Sequence, residues 1–306
     1  MKINPMFKSF LTFTLVIFAA YMLNSCKSGG GKEETSKTVD ITEVDEATLQ
    51  DVKEAKKIFN ALPSPLESAM LIKSAGATFD ADILNPTDAV SRYSTNRAMA
   101  LNLGIYTCDL SFSSLYDQTQ LVINYMNAAK EMADGLGILD AINEETINRL
   151  EENVNNRDVI LDIVSETFLN TNSYLEDNEQ PAIASIVLVG GWLEGLYIAT
   201  QLVGEDEFDS NKLVGRIIDQ KLSVDIMLRL LEDNNEHPAV GSIIEQMTEI
   251  KDVFDKFTIT TTKIKPEIDE ETNVTFLKST ITSNMTPEIF KELSVKVAEV
   301  RSSFVK

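Results

Sequence analysis

The chain has 306 residues, 43% of them hydrophobic, and carries 48 acidic against 27 basic side chains for a formal net charge of −21. Such a body is repelled by nucleic acid and by anionic lipid, which are bound through clustered basic residues. The apolar content suits a globular chain with a large core and excludes disorder over most of the length.

Lys2 and Lys8 lead into an uncharged apolar stretch, Phe10 to Leu23. It falls short of the roughly 20 residues that a membrane-spanning helix needs, and its layout is that of a secretory signal. The stretch ends in Leu23-Asn24-Ser25-Cys26, which resembles a bacterial lipobox. On that reading residues 1–25 are a lipoprotein signal peptide, and Cys26 carries a covalent diacylglycerol and an N-acyl lipid such as palmitate. An ordinary secretory signal with an incidental cysteine is the alternative. Cleavage before Cys26 removes two lysines and no acid, so the acyl chains alone would hold the acidic body to a membrane. Residues 26–41, with "KSGGGKEETSKTVD", read as a flexible tether. Fifteen such residues reach roughly 20 Å as a random coil. Cys108 is then the only thiol left, so no disulfide can form within the mature chain, and a buried core position is expected for it.

Residues 42–306 read as a single all-α domain, a bundle of about nine or ten helices. An amphipathic helix is predicted over Glu43 to Leu62. Ser64, Pro65 and Glu67 form a capping box that opens the next. Thr95 to Leu115 has apolar residues in steps of three and four. Asp117 to Asp134 follows, stopped by Gly135 and Gly137, with a domain division near Asp134 to Asn143 left open. Asn143 is expected to cap a short helix, and Asp158 to Glu176 makes a further one. Pro181 opens an apolar helix, and Asn211 to Asp233 and Pro238 to Phe257 form a pair. Residues 258–282, rich in Thr, Ile and Val around an acidic middle, predict a small β-hairpin. Thr286 and Pro287 cap a last helix over 286–303. No repeat period of a helical array is present.

The apolar helix "LVGGWLEGLYIAT" raises the question of a second membrane passage. Between Pro181 and Val203 the only charged side chain is Glu194, and both flanks, "EDNEQ" and "GEDE", are acidic. Lys and Arg, which mark the cytoplasmic end of a span, are missing there. A core helix buried on all sides is therefore expected, with Gly191 and Gly195 admitting a neighbour closely. Glu194 reaches the rim, pairs with an arginine, or lines a pocket with Trp192 and Tyr197. Arg92 and Arg97 are the candidate partners. A second polar line, Asn102, Tyr106, Asp109, Ser113 and Tyr116, lies along one face of the Thr95 helix. It reads as a wetted face or as one wall of a ligand groove, which makes Arg97, Asn102, Tyr106, Asp109, Trp192, Glu194 and Tyr197 the candidate ligand-binding residues. "LNLGIYTCDLSF" and "LVGGWLEGLYIA" echo each other in glycine and aromatic content, as shared core composition or as relics of two related bundles.

Several chemistries lack their residues. His237 is the only histidine and lies in the polar turn "NNEHP", where it is expected to be exposed; zincin and di-iron helix motifs need more. No Walker-type glycine loop is present, and "DEFDSN" lacks the spacing of an EF-hand. Neither a metal nor a cofactor beyond the Cys26 lipid is expected. Among so many acids, paired carboxylates for a hydrolase stay open.

The lipobox together with "VSRYSTNRAMALNLGIYTCDLS" and "GGWLEGLYIATQ" resembles a group of helical lipoproteins of Bacteroidota bacteria with no assigned activity. The likeness covers the signal and about Ile58 to Val203 and carries over no catalytic residue. Surface-exported members of such bacteria often carry an acidic run directly after the lipidated cysteine. Here "KSGGGK" comes first, which points to an outer-membrane lipoprotein facing the periplasm; surface exposure stays open. The expected role is a non-enzymatic binding or scaffold module of the cell envelope, with an envelope protein or small ligand as partner and no nucleic acid. An envelope hydrolase and a purely structural component are the alternatives.

Overall fold

A computed structural model describes residues 64–306 apart from 140–141, 143, 205–207, 262–264, 269–274 and 279–280. The signal segment, the Cys26 tether, the helix expected over Glu43–Leu62 and the Asn143 cap lie outside the described residues. Those described fall within one compact unit, with no division near 134–143, and the fold is all-α.

The chain order is α1 (Pro65–Ser74), a 3₁₀ turn (Thr87–Arg92), α2 (Asn96–Leu115), α3 (Thr119–Gly135), α4 (Glu144–Glu152), α5 (Arg157–Asp177), α6 (Pro181–Gln201), α7 (Lys212–Glu232) and α8 (Gly241–Phe254). Four short strands and α9 (Pro287–Phe304) complete it. Local chemistry sets most of the starts. The Ser64–Glu67 capping box is formed in both directions, at 2.7 and 3.2 Å. Thr95, Asn156, Asn211 and Thr286 each accept a first-turn N–H, which satisfies donors that a helix start leaves free.

Three boundaries differ from expectation. α3 starts at Thr119 because Asp117 takes a left-handed φ of 57°, closing α2 while Gln118 N–H bonds back to Ser113 O at 3.0 Å. Pro238 lies in a turn before α8, where Val240 N–H reaches His237 O at 3.0 Å. His237 is half-buried rather than exposed, and its Nδ1 accepts the Ala239 N–H at 3.3 Å. The expected single hairpin is two antiparallel ladders, one inside the other. Ile259–Thr261 (β1) pairs with Ile281–Ser283 (β4), and Lys265–Ile268 (β2) pairs with Thr275–Lys278 (β3).

The centre of the fold is the crossing of α2 and α6. A Cβ on Gly104 would collide with the Val187 carbonyl oxygen and stand 2.6 Å from Gly191 N. One on Gly190 would meet the Leu101 carbonyl, and one on Gly195 would stand 2.7 Å from Ser68 Cβ of α1 and 3.8 Å from Cys108 Sγ. The pairs 101/190, 104/191 and 108/195 step forward together, so α2 and α6 run in the same direction. The two segments that echo each other in sequence are thus the two halves of one contact, each thinned to glycine where backbone meets backbone. α6 is long and apolar enough to cross a membrane, with a hydropathy of 1.7, yet 94% of that window is buried inside the protein. Cys108 is fully buried in the same seam, and burial pushes its thiol pKa well up.

The crossing yields a contrast between two glycines. Gly104→Ala should lower the unfolding free energy by roughly 1–3 kcal/mol or more, read as a drop in the denaturant midpoint, since rigid backbone cannot yield to the methyl. Gly215→Ala, on α7 with nothing within 4 Å of the added atom, should stabilise by roughly 1 kcal/mol through helix propensity. Equal midpoints for the Gly104 variant and the wild type would show that the two backbones do not touch.

Candidate functional site

The α2–α6 seam brings several of the sequence candidates into one buried polar cluster. Helical geometry separates residues 192 and 194 by about 200°, whereas 194 and 197 share a face. Glu194, fully buried, accepts two hydrogen bonds from Arg301 of α9: Nε to Oε2 at 2.9 Å and Nη2 to Oε1 at 2.8 Å. The guanidinium lies 4.6 Å from the centre of the Tyr197 ring, a cation–π contact. Trp192 points the other way and donates from Nε1 to Gln220 Oε1 of α7 at 2.9 Å.

Neither Arg92 nor Arg97 is the partner of Glu194. Arg92 is exposed. Arg97 donates to Gln246 Oε1 of α8 at 3.0 Å and lies 5.6 Å from the Phe304 ring. The arginine that pairs is separated from Glu194 by 107 residues. Its signal is visible in α9, where Leu293, Val297, Val300 and Phe304 are buried and Arg301 sits within their stripe. A base inside an apolar stripe needs a buried acid.

The polar line of α2 is not wetted: Asn102, Tyr106, Asp109 and Ser113 are fully buried and Tyr116 is half-buried. The partners come from the segment after α1 and from the end of α9. Asn102 Nδ2 donates to Phe304 O and Ala98 O, each at 2.9 Å, and its Oδ1 accepts from Asn85 Nδ2 at 3.1 Å. Tyr93 donates to Val305 O at 3.3 Å, and Tyr106 to Pro86 O at 3.1 Å. Asn85 and Tyr93 were not legible as site residues, because their segment has no hydrophobic period.

Asp109 decides the electrostatics. One oxygen, Oδ2, accepts the Asn85 N–H at 3.1 Å, whereas Oδ1 has no donor. The charge of the Glu194 carboxylate acts on it across the seam. Burial first, and then the charge of Glu194, raise the Asp109 pKa well above the usual carboxylate range, against a weaker pull from Arg301. Burial alone would lower the Arg301 pKa, but the charge and hydrogen bonds of Glu194 outweigh it and raise it. A proton held on Asp109 would leave the Glu194–Arg301 ion pair as the only charges of the buried cluster. Tyr106 and Tyr125 are kept as neutral phenols chiefly by burial.

Two carboxyl groups that act on each other through charge are an ingredient of acid–base chemistry, but neither has any exposure to solvent. Among the described residues, no group of three or more His, Cys, Asp or Glu is placed to hold a metal.

Two outcomes follow. Arg301→Met leaves two buried carboxyls without a cation and should cost roughly 3–5 kcal/mol. Glu194→Gln should cost clearly less, because Asp109 can ionise and take over as the counter-ion. The order of the two denaturant midpoints at neutral pH checks this, and the reverse order would refute a proton held on Asp109. The second outcome concerns pH. A carboxyl whose pKa rises on folding contributes stability that is complete below its unfolded value, about 3.9. That contribution is lost as pH climbs through the raised folded value. Asp109→Asn can still accept from Asn85 and donate to Glu194. Its stability relative to wild type should grow with pH from about 4 upward, by at most about 1.4 kcal/mol per pH unit. A difference constant with pH would mean that Asp109 is ionised in the folded protein. No protein-family model matches the chain, and no curated protein or solved structure matches it either, so the role of this cluster follows from its own chemistry.

Proposed function

We propose that the protein is a lipid-anchored helical module of a bacterial cell envelope, holding a ligand or partner protein rather than catalysing a reaction. The observation that carries the anchoring is the placement of α6. The described helix with the composition of a span is enclosed by its neighbours, and its one acid is bound to Arg301. Membrane attachment then falls to the N-terminal lipobox at Cys26. A diacylglycerol with a further acyl chain gives stable attachment, which one chain alone does not. The resemblance to Bacteroidota lipoproteins and the "KSGGGK" sequence after Cys26 favour an outer-membrane protein facing the periplasm.

A role other than catalysis is supported by what the polar candidates do. Asn102, Tyr106, Glu194, Trp192 and Arg97 each bond to another part of the fold, so these side chains serve the packing of the bundle. The hydrolase reading would need its carboxyl pair at a surface, and Asp109 and Glu194 lie in the deepest part of the core.

The anchor is tested by labelling cells with an alkyne analogue of palmitate. Wild-type protein should take up the label, and its intact mass should correspond to a chain starting at a triacylated Cys26. Cys26→Ala should take up none. A mature wild-type chain with an unmodified N-terminus would overturn the anchor.

A further inference from the structure

Among the described residues, one side of the bundle carries an open groove. It lies over α2, between α3 and α5, with α4, which packs on α5, along its border. Leu110, Met126, Ile147, Leu150, Val164 and Phe168 supply most of its wall. Thr107, Thr167 and Thr171 also line it, and the Thr107 hydroxyl already donates to Leu103 O within α2 at 2.7 Å. The cavity volume is about 70 Å³. A water needs roughly 10–15 Å³ on that measure, so about five water- or methylene-sized groups fit. Lined this way, the groove is a poor host for water and a good one for hydrocarbon.

The mouth differs from the wall. Lys130 and Asn127, both exposed, stand on α3 at the edge of the groove. In a chain with 48 acids against 27 bases, Lys130 makes no ion pair among the described residues, whereas Lys221, Lys251, Lys256 and Lys296 each do. An uncompensated cation at the end of an apolar trough complements a molecule with an anionic head and a short alkyl tail. The wall is suited to such a tail, because Met126 is unbranched and can adapt its shape to a flexible chain.

We propose that this groove binds a medium-chain amphiphile, its alkyl segment against Met126 and Phe168 and its anionic group, carboxylate or phosphate monoester, at Lys130. The assignment deepens the binding-module reading by naming a ligand class, and it is independent of the lipid on Cys26, so either can fail without the other.

The test is a titration of the full chain carrying ¹³C-methyl methionine, with the Met126 resonance identified by its loss in Met126→Leu. The probes are octanoate, octyl phosphate, octanol and octylamine. Octanoate or octyl phosphate should shift the Met126 methyl saturably and bind more tightly than octanol and octylamine. The tighter of the two anions distinguishes a free fatty acid from a lipid phosphate headgroup. Lys130→Glu, which touches no ion pair and should unfold at the wild-type temperature, should weaken the anions about fivefold, the scale of an exposed charge pair, and leave octanol unchanged. A Met126 methyl that does not move would overturn the site, including the case in which other methionines respond. Equal affinity for all four probes, or anion binding indifferent to Lys130→Glu, would overturn the head-group recognition.

Discussion

Two helices of this protein meet with almost nothing between their backbones. Gly104, Gly190 and Gly191 remove the side chains that would normally keep α2 and α6 about 8–10 Å apart. Most of what is distinctive in the core follows from that approach. Asp109 and Glu194 act on each other's charge because their helices approach so closely. α1 can lie on the same seam, since Gly191 and Gly195 leave room for Pro65 and Ser68. Larger residues at these glycines would have separated two carboxyl groups and spared the core its need for a cation.

That need explains the architecture around α9. Gln201 bonds Ser294 while Glu194 bonds Arg301, so α9 runs antiparallel to α6 and brings its arginine to the acid. The end of α9 is then held by Asn102 and Tyr93, which donate to the Phe304 and Val305 carbonyls left open at a helix terminus. Tyr197 stacks on the same guanidinium. A helix with one strongly amphipathic face thus acquires a unique rotation and height on the bundle, which apolar contact alone would leave less sharply defined. Buried ionic groups that fix register are a known use of an otherwise costly device.

How much of this could be read from residues depends on the distance over which each decision is made. The capping box at Ser64 and the cap at Thr286 were legible, because each is settled within four residues. The burial of α6 was legible from its acidic flanks and its lack of bases. The partner of Glu194 was not, since periodicity marks a face and does not say which distant face meets it. The polar line of α2, which the sequence leaves as a wetted face or a groove wall, is buried for the same reason: Asn102 and Tyr106 are dry because Asn85, Pro86 and the end of α9 cover them. The hairpin was legible as strand-forming composition, while its division into two ladders depends on register, which composition does not fix.

The separation between Glu194 and Arg301 also bears on how the chain reaches this state. A nascent chain that has emerged as far as α6 or α7 holds Asp109 and Glu194 but not the cation for the α2–α6 seam. Closing that seam early would bury an uncompensated charge or require a second proton, either of which raises the free energy of the partly folded form. Contacts that span more than a hundred residues also form late on entropic grounds. Full sealing of the α2–α6 seam is therefore tied to the arrival of α9, whose arginine is the last part of the cluster to be made.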